Sequence, residues 1–400
     1  MGSAVQWLAL PAGALLAVVA VTLAYRWLFL IAYLLRGRRR PAEVASPVRH
    51  RFAVLVPAHD EELLIGELIG SIRSAAYPQE QISIHVVADN CSDRTAEIAR
   101  GLSAVVHERY DMRERGKGQA LAWGLAQFDL RECDAVAIID ADNLVDAGFF
   151  AAMNRELIDG GRVLQGYDGL SNPEQTVLTR LIAVTSVMKN LLFYGGKAAL
   201  GWSILLMGTG IVIRREVLEA FGWRARSIAE DLEQSFTLRE NGERIRFVAD
   251  ARVYAQEATD LKQGYAQRQR WSSGRQAVWR LGFRALLRGT RTRSFGLAEA
   301  GVEVLLPTYS MTANLTLLAL LLSLALVPLN PWWSVCAICL LALQLLEFAA
   351  GLWVMEASWR FVASIAFAPV FLVWKGTIDA LALLGYRRDR WARTQRGDGH

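Results

Sequence analysis

Cysteine is scarce in this sequence: Cys91, Cys133, Cys336 and Cys339 are the four among 400 residues. Their spacing gives no disulfide framework. Cys336 and Cys339 sit inside an apolar run with no further Cys or His nearby, which favours ordinary packing over a metal site. No internal repeat and no low-complexity tract is present, which excludes a repeat array. Basic charge is missing ahead of the first apolar run: no Lys or Arg precedes Arg26. Residues 7–35 therefore lack the basic start of a cleaved signal peptide. A large charge imbalance is missing too. The formal net charge is +5, with much of the basic excess in "RGRRR" (36–40) and "RRDRWARTQR" (387–396). Topology and anionic lipid account for basic clusters beside apolar segments, so no nucleic-acid partner is implied.

What the chain does have is apolar length. Hydrophobic residues make up 53% of it, and the stretch at 7–35 is long enough to cross a bilayer. Positive charge behind that stretch places the chain from about residue 36 onward in the cytoplasm. Apolar runs at 310–327 and 332–355, joined by "PLNP", are each long enough to span. The segment 359–384 carries Pro369, and Lys375 and Asp379 four apart on one helical face, a stripe that suits a helix lying in the interface. The expected organisation is an amino-terminal transmembrane helix at 1–40 and a cytoplasmic domain at 50–290. Interfacial and transmembrane helices follow at 291–386, then a basic cytoplasmic tail at 387–400. Three spans make a multi-pass protein of the cell (inner or plasma) membrane.

Between 50 and 290 the pattern is α/β. "RFAVLVP" (51–57), "ISIHVVAD" (82–89), "AVVHE" (104–108) and "AVAIID" (135–140) read as strands; "EELLIGELIGSIRSAAY" (61–77) and "GKGQALAWGLAQF" (116–128) read as helices. Alternation of this kind predicts a parallel sheet covered on both faces, with ligands at the carboxyl ends of the strands. His59, Asp60, Asp89, Asp140 and Asp142 fall there.

Asp140 and Asp142, one residue apart after an apolar strand, admit a solvated turn or a metal clamp. An adjacent diphosphate would favour the clamp, since Mg²⁺ or Mn²⁺ takes one or two carboxylates plus phosphate oxygens. Lys117, set among glycines, offers a point charge to phosphate. Glu230 and Asp231 open a helix in "AEDLEQSF", where the helix dipole alone would favour acids. Their side chains leave a helix in different directions, so one of them, Asp231, is expected to face the site. Gln267, Arg270 and Trp271 in "QRQRW" share one helical face.

"VLVPAHDEE", "VVADNCSD", "RGKGQAL", "IIDADN", "MGTGIVIRRE", "AEDLEQSF" and "QRQRW", in that order, resemble the family 2 glycosyltransferases. The closest likeness is to their membrane-embedded branch of cellulose, hyaluronan and chito-oligosaccharide synthases. The resemblance covers about residues 52–275. It implies a Rossmann-like GT-A fold, a UDP-sugar donor, Mn²⁺ or Mg²⁺, and inversion at the anomeric carbon. Carried over, Pro57, His59 and Glu61 would line the uridine, with Asp89 bonding uracil. Asp140 would face the nucleotide-sugar and Asp142 would hold the metal. Asp231 would be the general base and Trp271 the platform under the acceptor sugar. Gln267 and Arg270 would support the acceptor mouth and the leaving diphosphate. "RWARTQR" is similar to a gating tail of related synthases, through Trp391, Thr394 and Arg396. "ADNCSD" departs from the family in placing Asn90 and Cys91 where many members have a second Asp and a glycine.

Processive polysaccharide synthesis is the expected function, with single-sugar transfer to a membrane lipid such as a ceramide, hopanoid or diacylglycerol as the alternative. The few spans leave little wall for a channel, which favours the lipid acceptor unless the chain forms a homo-oligomer. A non-catalytic nucleotide sensor would be expected to have lost an acidic group, and none is missing.

Overall fold

The computed structural model describes residues 7–37, 47–327 and 330–384. Residues 38–40 of the first basic cluster, and the tail with Trp391, Thr394 and Arg396, lie outside the described residues.

Eight strands form one sheet in the order β3-β2-β1-β4-β7-β6-β8-β5. β1 (Phe52–Ala58), β2 (Ile82–Asp89), β3 (Val105–Arg109) and β4 (Ala135–Ile138) are mutually parallel. β1 is buried at every position, because it has a strand on each side and helices over both faces. Such a strand reads as a continuous apolar run and not as an alternation. Helices Ile65–Arg73 and Phe149–Ile158 cover one face through Ile65, Leu68, Ile72, Phe149, Phe150 and Met153. Helix Lys117–Gly124 covers the other through Ala120 and Leu121, which pack on Leu55, Val87 and Val136. Phe149 and Phe150 are fully buried, and truncating either to Ala would cost about 3–5 kcal/mol.

The second half departs from the all-parallel expectation. β7 (Ile211–Arg214) runs antiparallel to both β4 and β6 (Val163–Leu170). β8 (Ile245–Ala255) is parallel to β6, and the short β5 (Asn143–Val145) is antiparallel to β8. An apolar run encodes a buried strand but not its direction, which is why "GTGIVIRR" gave no sign of this. Reversal brings the turn that precedes β7 to the edge where β1, β2 and β4 end. Between Gly166 and Tyr167 the pairing of β6 with β8 slips, the partner jumping from Val248 to Arg252.

Among the described residues, four helices are long and apolar enough to cross a membrane: Ala9–Gly37, Val177–Ala199, Trp332–Val354 and Trp359–Leu383. A fifth candidate is the pair Phe295–Leu305 and Tyr309–Ala325, bent by 59° at Pro307, which cannot continue the helical hydrogen bonding. The helix at Val177–Ala199 was not foreseen as a separate element. Its apolar window is 67% buried against 17% for each of the last two helices, so protein already covers most of it. Arg26 lies 3.7 Å from Glu347 and 4.3 Å above the Tyr309 ring, joining helices Ala9–Ala32, Tyr309–Ala325 and Trp332–Val354 by a buried charge. The Gly196 backbone rests against Phe29 of the amino-terminal helix. Next to it Lys197, fully buried, is paired with Glu299 at 2.6 Å and with Glu303.

Candidate active site

Lys117 opens its helix after Gly116, and its ammonium is the hub of the site. It lies 2.5 Å from Asp140 Oδ1 and 3.4 Å from Glu230 Oε1. It also donates to the Gly208 carbonyl at 2.9 Å. The charge expected to meet phosphate thus stands between two carboxylates. Burial alone would lower the Lys117 pKa; Asp140 and Glu230 outweigh it and hold it above the ordinary lysine value. The lysine stays charged at any physiological pH.

The turn before β7 completes this corner. Gly208 and Gly210 have φ of 90° and 65°, a conformation that costs side-chain-bearing residues energy. A Cβ on Gly208 would sit 3.5 Å from Lys117 Nζ and 3.8 Å from Asp231 Oδ2, so the turn passes directly beneath both groups. Thr209 Oγ1 accepts from the Asp140 N–H at 3.1 Å and from Asn143 Nδ2 at 3.0 Å. Buried Gln165 bonds the Thr209 carbonyl at 2.8 Å and accepts from the Met207 N–H at 2.8 Å. Gly118 is needed for a different reason: a Cβ there would come within 2.5 Å of the Ala225 carbonyl oxygen, beside the segment that leads to Glu230.

Glu230 and Asp231 both face Lys117, contrary to the expectation that only one could. Glu230 is long enough to reach the ammonium from the first turn of helix Glu230–Glu240. Asp231 accepts from the Leu232 N–H at 2.8 Å through Oδ1 and turns Oδ2 toward Gly208. Burial raises the Asp231 carboxyl above the usual carboxylate range, opposed by the Leu232 N–H, Lys117 and Lys189. Asp140 and Glu230 are raised by burial as well, with Lys117 opposing and Asp142 and Asp231, respectively, reinforcing.

Two groups in this corner were missed from the sequence. Asp168, on β6, is pushed up to about 6 by burial; Lys189 opposes, while Glu257, Asp140 and Asp142 reinforce. Lys189 belongs to the π-helical stretch Met188–Gly195. Their only sequence signal would have been charge inside otherwise apolar segments. Five carboxylates (Asp140, Asp142, Asp168, Glu230 and Asp231) thus face two ammonium groups. Such an excess of anionic oxygen suits a hard divalent cation. A separate trio, Asp60, Cys91 and Asp93, brings ligand atoms within 4.8 Å of one another. Asp60 there accepts from the Ser92 N–H at 2.7 Å, and Asp93 from the Thr95 N–H at 3.0 Å. These bonds account for the trio as loop structure.

At the ends of β1 and β2, Pro57 is buried, His59 Nδ1 lies 2.7 Å from the Asp89 carbonyl, and the Glu61 N–H donates to Thr95. Asp89 is wholly buried and paired with Arg109 at 2.7 Å. Burial still raises its carboxyl, with Arg109 pulling the other way. Its second oxygen has no partner among the described residues, which leaves one acceptor position. A groove of about 540 Å³ runs alongside, lined by Arg109, Tyr110, Asp111, Gln119 and Trp123. Removing Arg109 would strand a buried carboxylate. Arg109→Met is therefore expected to lower stability by about 3–5 kcal/mol, read as a fall in the thermal midpoint; an unchanged midpoint would show the pair to be dispensable.

Gln267, Arg270 and Trp271 lie on helix Leu261–Ala277. Trp271 is 46% exposed, with the Arg268 guanidinium 4.8 Å from its ring centre and Arg268 paired to Glu257 at 2.9 Å. Arg268, not foreseen, braces the indole. A Cβ on Gly274 would be 3.5 Å from that of Ala229, which sets this helix against the turn carrying Glu230 and Asp231. Ser272 donates to Asp379 at 2.8 Å and accepts from Lys375 at 3.0 Å. The Lys375–Asp379 stripe is thus spent on this helix, and its polarity no longer argues for a face on lipid headgroups.

Parallel strands in the order 3-2-1-4, extended by a reversed strand, with acids gathered at their ends, define a nucleotide-sugar-type α/β transferase fold. Residues 50–274 match the model of "Glycosyltransferase like family 2", and the chain belongs to that family. It is 30% identical over 241 residues to "Probable glycosyltransferase YdaM" of Bacillus subtilis (strain 168), covering 57% of this chain and 56% of that protein. It is 26% identical over 232 residues to the beta-monoglucosyldiacylglycerol synthase of Trichormus variabilis, covering 56% of this chain and 48% of the other. The matches thus span about half the length of these relatives. The mannosyltransferase PcManGT from Pyrobaculum calidifontis, solved with GDP-Man and Mn²⁺, superposes with a TM-score of 0.53 at 19% identity, over 92% of this chain and 99% of that one. The likeness to PcManGT establishes the GT-A fold.

Proposed function

We propose that this protein transfers a hexosyl group from a UDP-sugar to an acceptor at the membrane, with inversion at the anomeric carbon. The observation that carries the reading is the corner in which Lys117 lies against Asp140 and Glu230 while Asp231 turns its second oxygen toward Gly208. A sugar hydroxyl is a weak nucleophile, and a positioned carboxylate must take its proton as the new bond forms. Asp231 is that base. Lys117 holds Asp140 and Glu230 in place and opposes the rise that burial imposes on both carboxyls. Asp142 would hold Mn²⁺ or Mg²⁺, which when bound neutralises charge on the leaving diphosphate. Asp89, His59, Pro57 and Glu61 receive the uridine; Trp271, braced by Arg268, receives the acceptor ring, with Gln267 and Arg270 beside it.

The apolar helices support a reading in which this chemistry takes place at a membrane, with the α/β domain on the cytoplasmic side of a plasma-membrane protein. Extension of a polysaccharide is the first reading, on the "RWARTQR" tail motif and the general resemblance to the polysaccharide synthases. Single-sugar transfer to a lipid is the second, supported by the likeness to a protein named as a glucosyldiacylglycerol synthase. Incubating the purified chain with a panel of radiolabelled UDP-hexoses, then separating product by size and by organic extraction, distinguishes them. Label at high molecular weight in the aqueous phase is expected for the first reading; label wholly in the organic phase sinks it. No transfer from any donor sinks both.

A further inference from the structure

The sheet, the π-helical stretch and a buried amide all act on one residue that the proposed mechanism leaves unused. The slip in pairing between Gly166 and Tyr167 is a bulge of the kind that re-aims side chains near functional sites. Asp168 follows it directly. Its N–H donates to Asn190 Oδ1 at 3.2 Å, and its carbonyl accepts from Asn190 Nδ2 at 2.9 Å and from Ser186 Oγ at 3.0 Å. Asn190 is 1% exposed, so the backbone of Asp168 is gripped on both sides by a buried side chain. That grip comes from a π-helix, a form found chiefly at functional sites. Tertiary structure of this density around a single backbone unit serves to aim what it carries.

In the sheet Asp168 pairs with Val253, and Val253 pairs across with Val145 of β5, the strand that follows Asp140 and Asp142; the charges acting on its carboxylate are Lys189, Glu257, Asp140 and Asp142. Lys189 also acts on Asp231. Asp168 therefore borders the space between the donor carboxylates and the base. Displacement with inversion puts the transferred ring in that space, because its anomeric carbon must lie between the leaving oxygen and the incoming hydroxyl. We propose that Asp168 binds hydroxyl groups of the transferred hexose, with Lys189 as the cation that keeps it in place. An ionised carboxylate accepts from two neighbouring hydroxyls at once, which a ring offers and a diphosphate does not. The inference rests on the proposed function, since it names a contact to the sugar of that donor.

The test compares wild type, Asp168→Asn and Asp168→Ala with the best UDP-hexose and its monodeoxy analogues. UDP affinity, measured by calorimetry, is expected to stay within about twofold in all three, because UDP lacks the hexose. The donor kcat/KM of the variants is expected to fall about 10- to 100-fold, the range of a hydrogen bond to a charged group. The acceptor KM should hold. One deoxy donor should penalise the wild type and add no further penalty in Asp168→Ala. Variants with wild-type kcat/KM overturn the inference while leaving the proposed function standing. A loss of UDP affinity in step with rate overturns it as well, since the residue would then act on the fold or the diphosphate. So does a change confined to the acceptor KM. If the wild type used no nucleotide-sugar, both readings would fall together.

Discussion

Asp231→Asn is expected to abolish most transfer while leaving the donor site intact. The substitution preserves size and keeps an oxygen that can accept from the Leu232 N–H, as Oδ1 does now at 2.8 Å. It removes the proton acceptor. Loss of a general base costs about 10²–10⁴-fold in rate, while UDP affinity should remain near wild type because Asp89, Asp140 and Asp142 are untouched. Glu230→Gln is the informative neighbour. Glu230 lies 3.4 Å from the Lys117 ammonium, so its loss weakens the hold on Lys117 and Asp140 and should cost rate by a smaller factor. Trp271→Ala should raise the acceptor KM and leave the proton path alone. Calorimetry with UDP and initial rates on the same variants make the comparison. Near-wild-type transfer by Asp231→Asn would refute the assignment and pass the role to Glu230. The pH profile adds a check. Burial raises the Asp231 carboxyl above the ordinary carboxylate range, and a base works only when deprotonated. Activity should therefore fall as pH drops through that raised value, and the acid limb should vanish from the residual rate of Asp231→Asn.

Asp142→Ala should be nearly as damaging, for a different reason. Asp140, Asp142, Asp168, Glu230 and Asp231 outnumber Lys117 and Lys189, and Lys117 already serves Asp140 and Glu230. A diphosphate brought into such a corner meets net repulsion unless a divalent cation accompanies it. Removing Asp142 takes away the placed ligand, so metal-dependent UDP binding should be lost together with turnover. Chelation should do the same to the wild type, reversibly on adding Mn²⁺ or Mg²⁺. Binding followed by calorimetry in EDTA reads this without relying on activity. Full UDP affinity and full turnover in EDTA would reject the clamp.

The first four strands were legible because each is a short apolar run closed by a turn residue, and the acids Asp140 and Asp142 stand immediately after one of them. The order of motifs singled out Lys117, Asp231 and Trp271 by resemblance, and of these the structure gathers Lys117 and Asp231 into one corner. The direction of β7 was not legible, since period and polarity are the same for a strand run either way. Nor was Asp168: its importance comes from a bulge and from Asn190, which lies 22 residues away in sequence. Lys117 was recognised, but its partners were not, because Glu230 and Gly208 meet it only through the reversed strand. The partnership of Lys375 and Asp379 with Ser272 was hidden similarly. A stripe on a helix has one appearance whether it meets headgroups or a neighbouring helix.

The contact of Gly196 with Phe29 and the burial of Lys197 between Glu299 and Glu303 bear on how the molecule comes apart. The turn at Gly208 lies a dozen residues beyond Lys197 in the same stretch of chain, so the catalytic corner is tethered to the amino-terminal helix by a short, well-packed link. A fragment trimmed to the family-matched residues 50–274 would leave Lys197 without both its carboxylates and Gly196 without its cover. The family boundary is a boundary of ancestry; the unit that holds its shape is larger and includes the apolar helices at both ends.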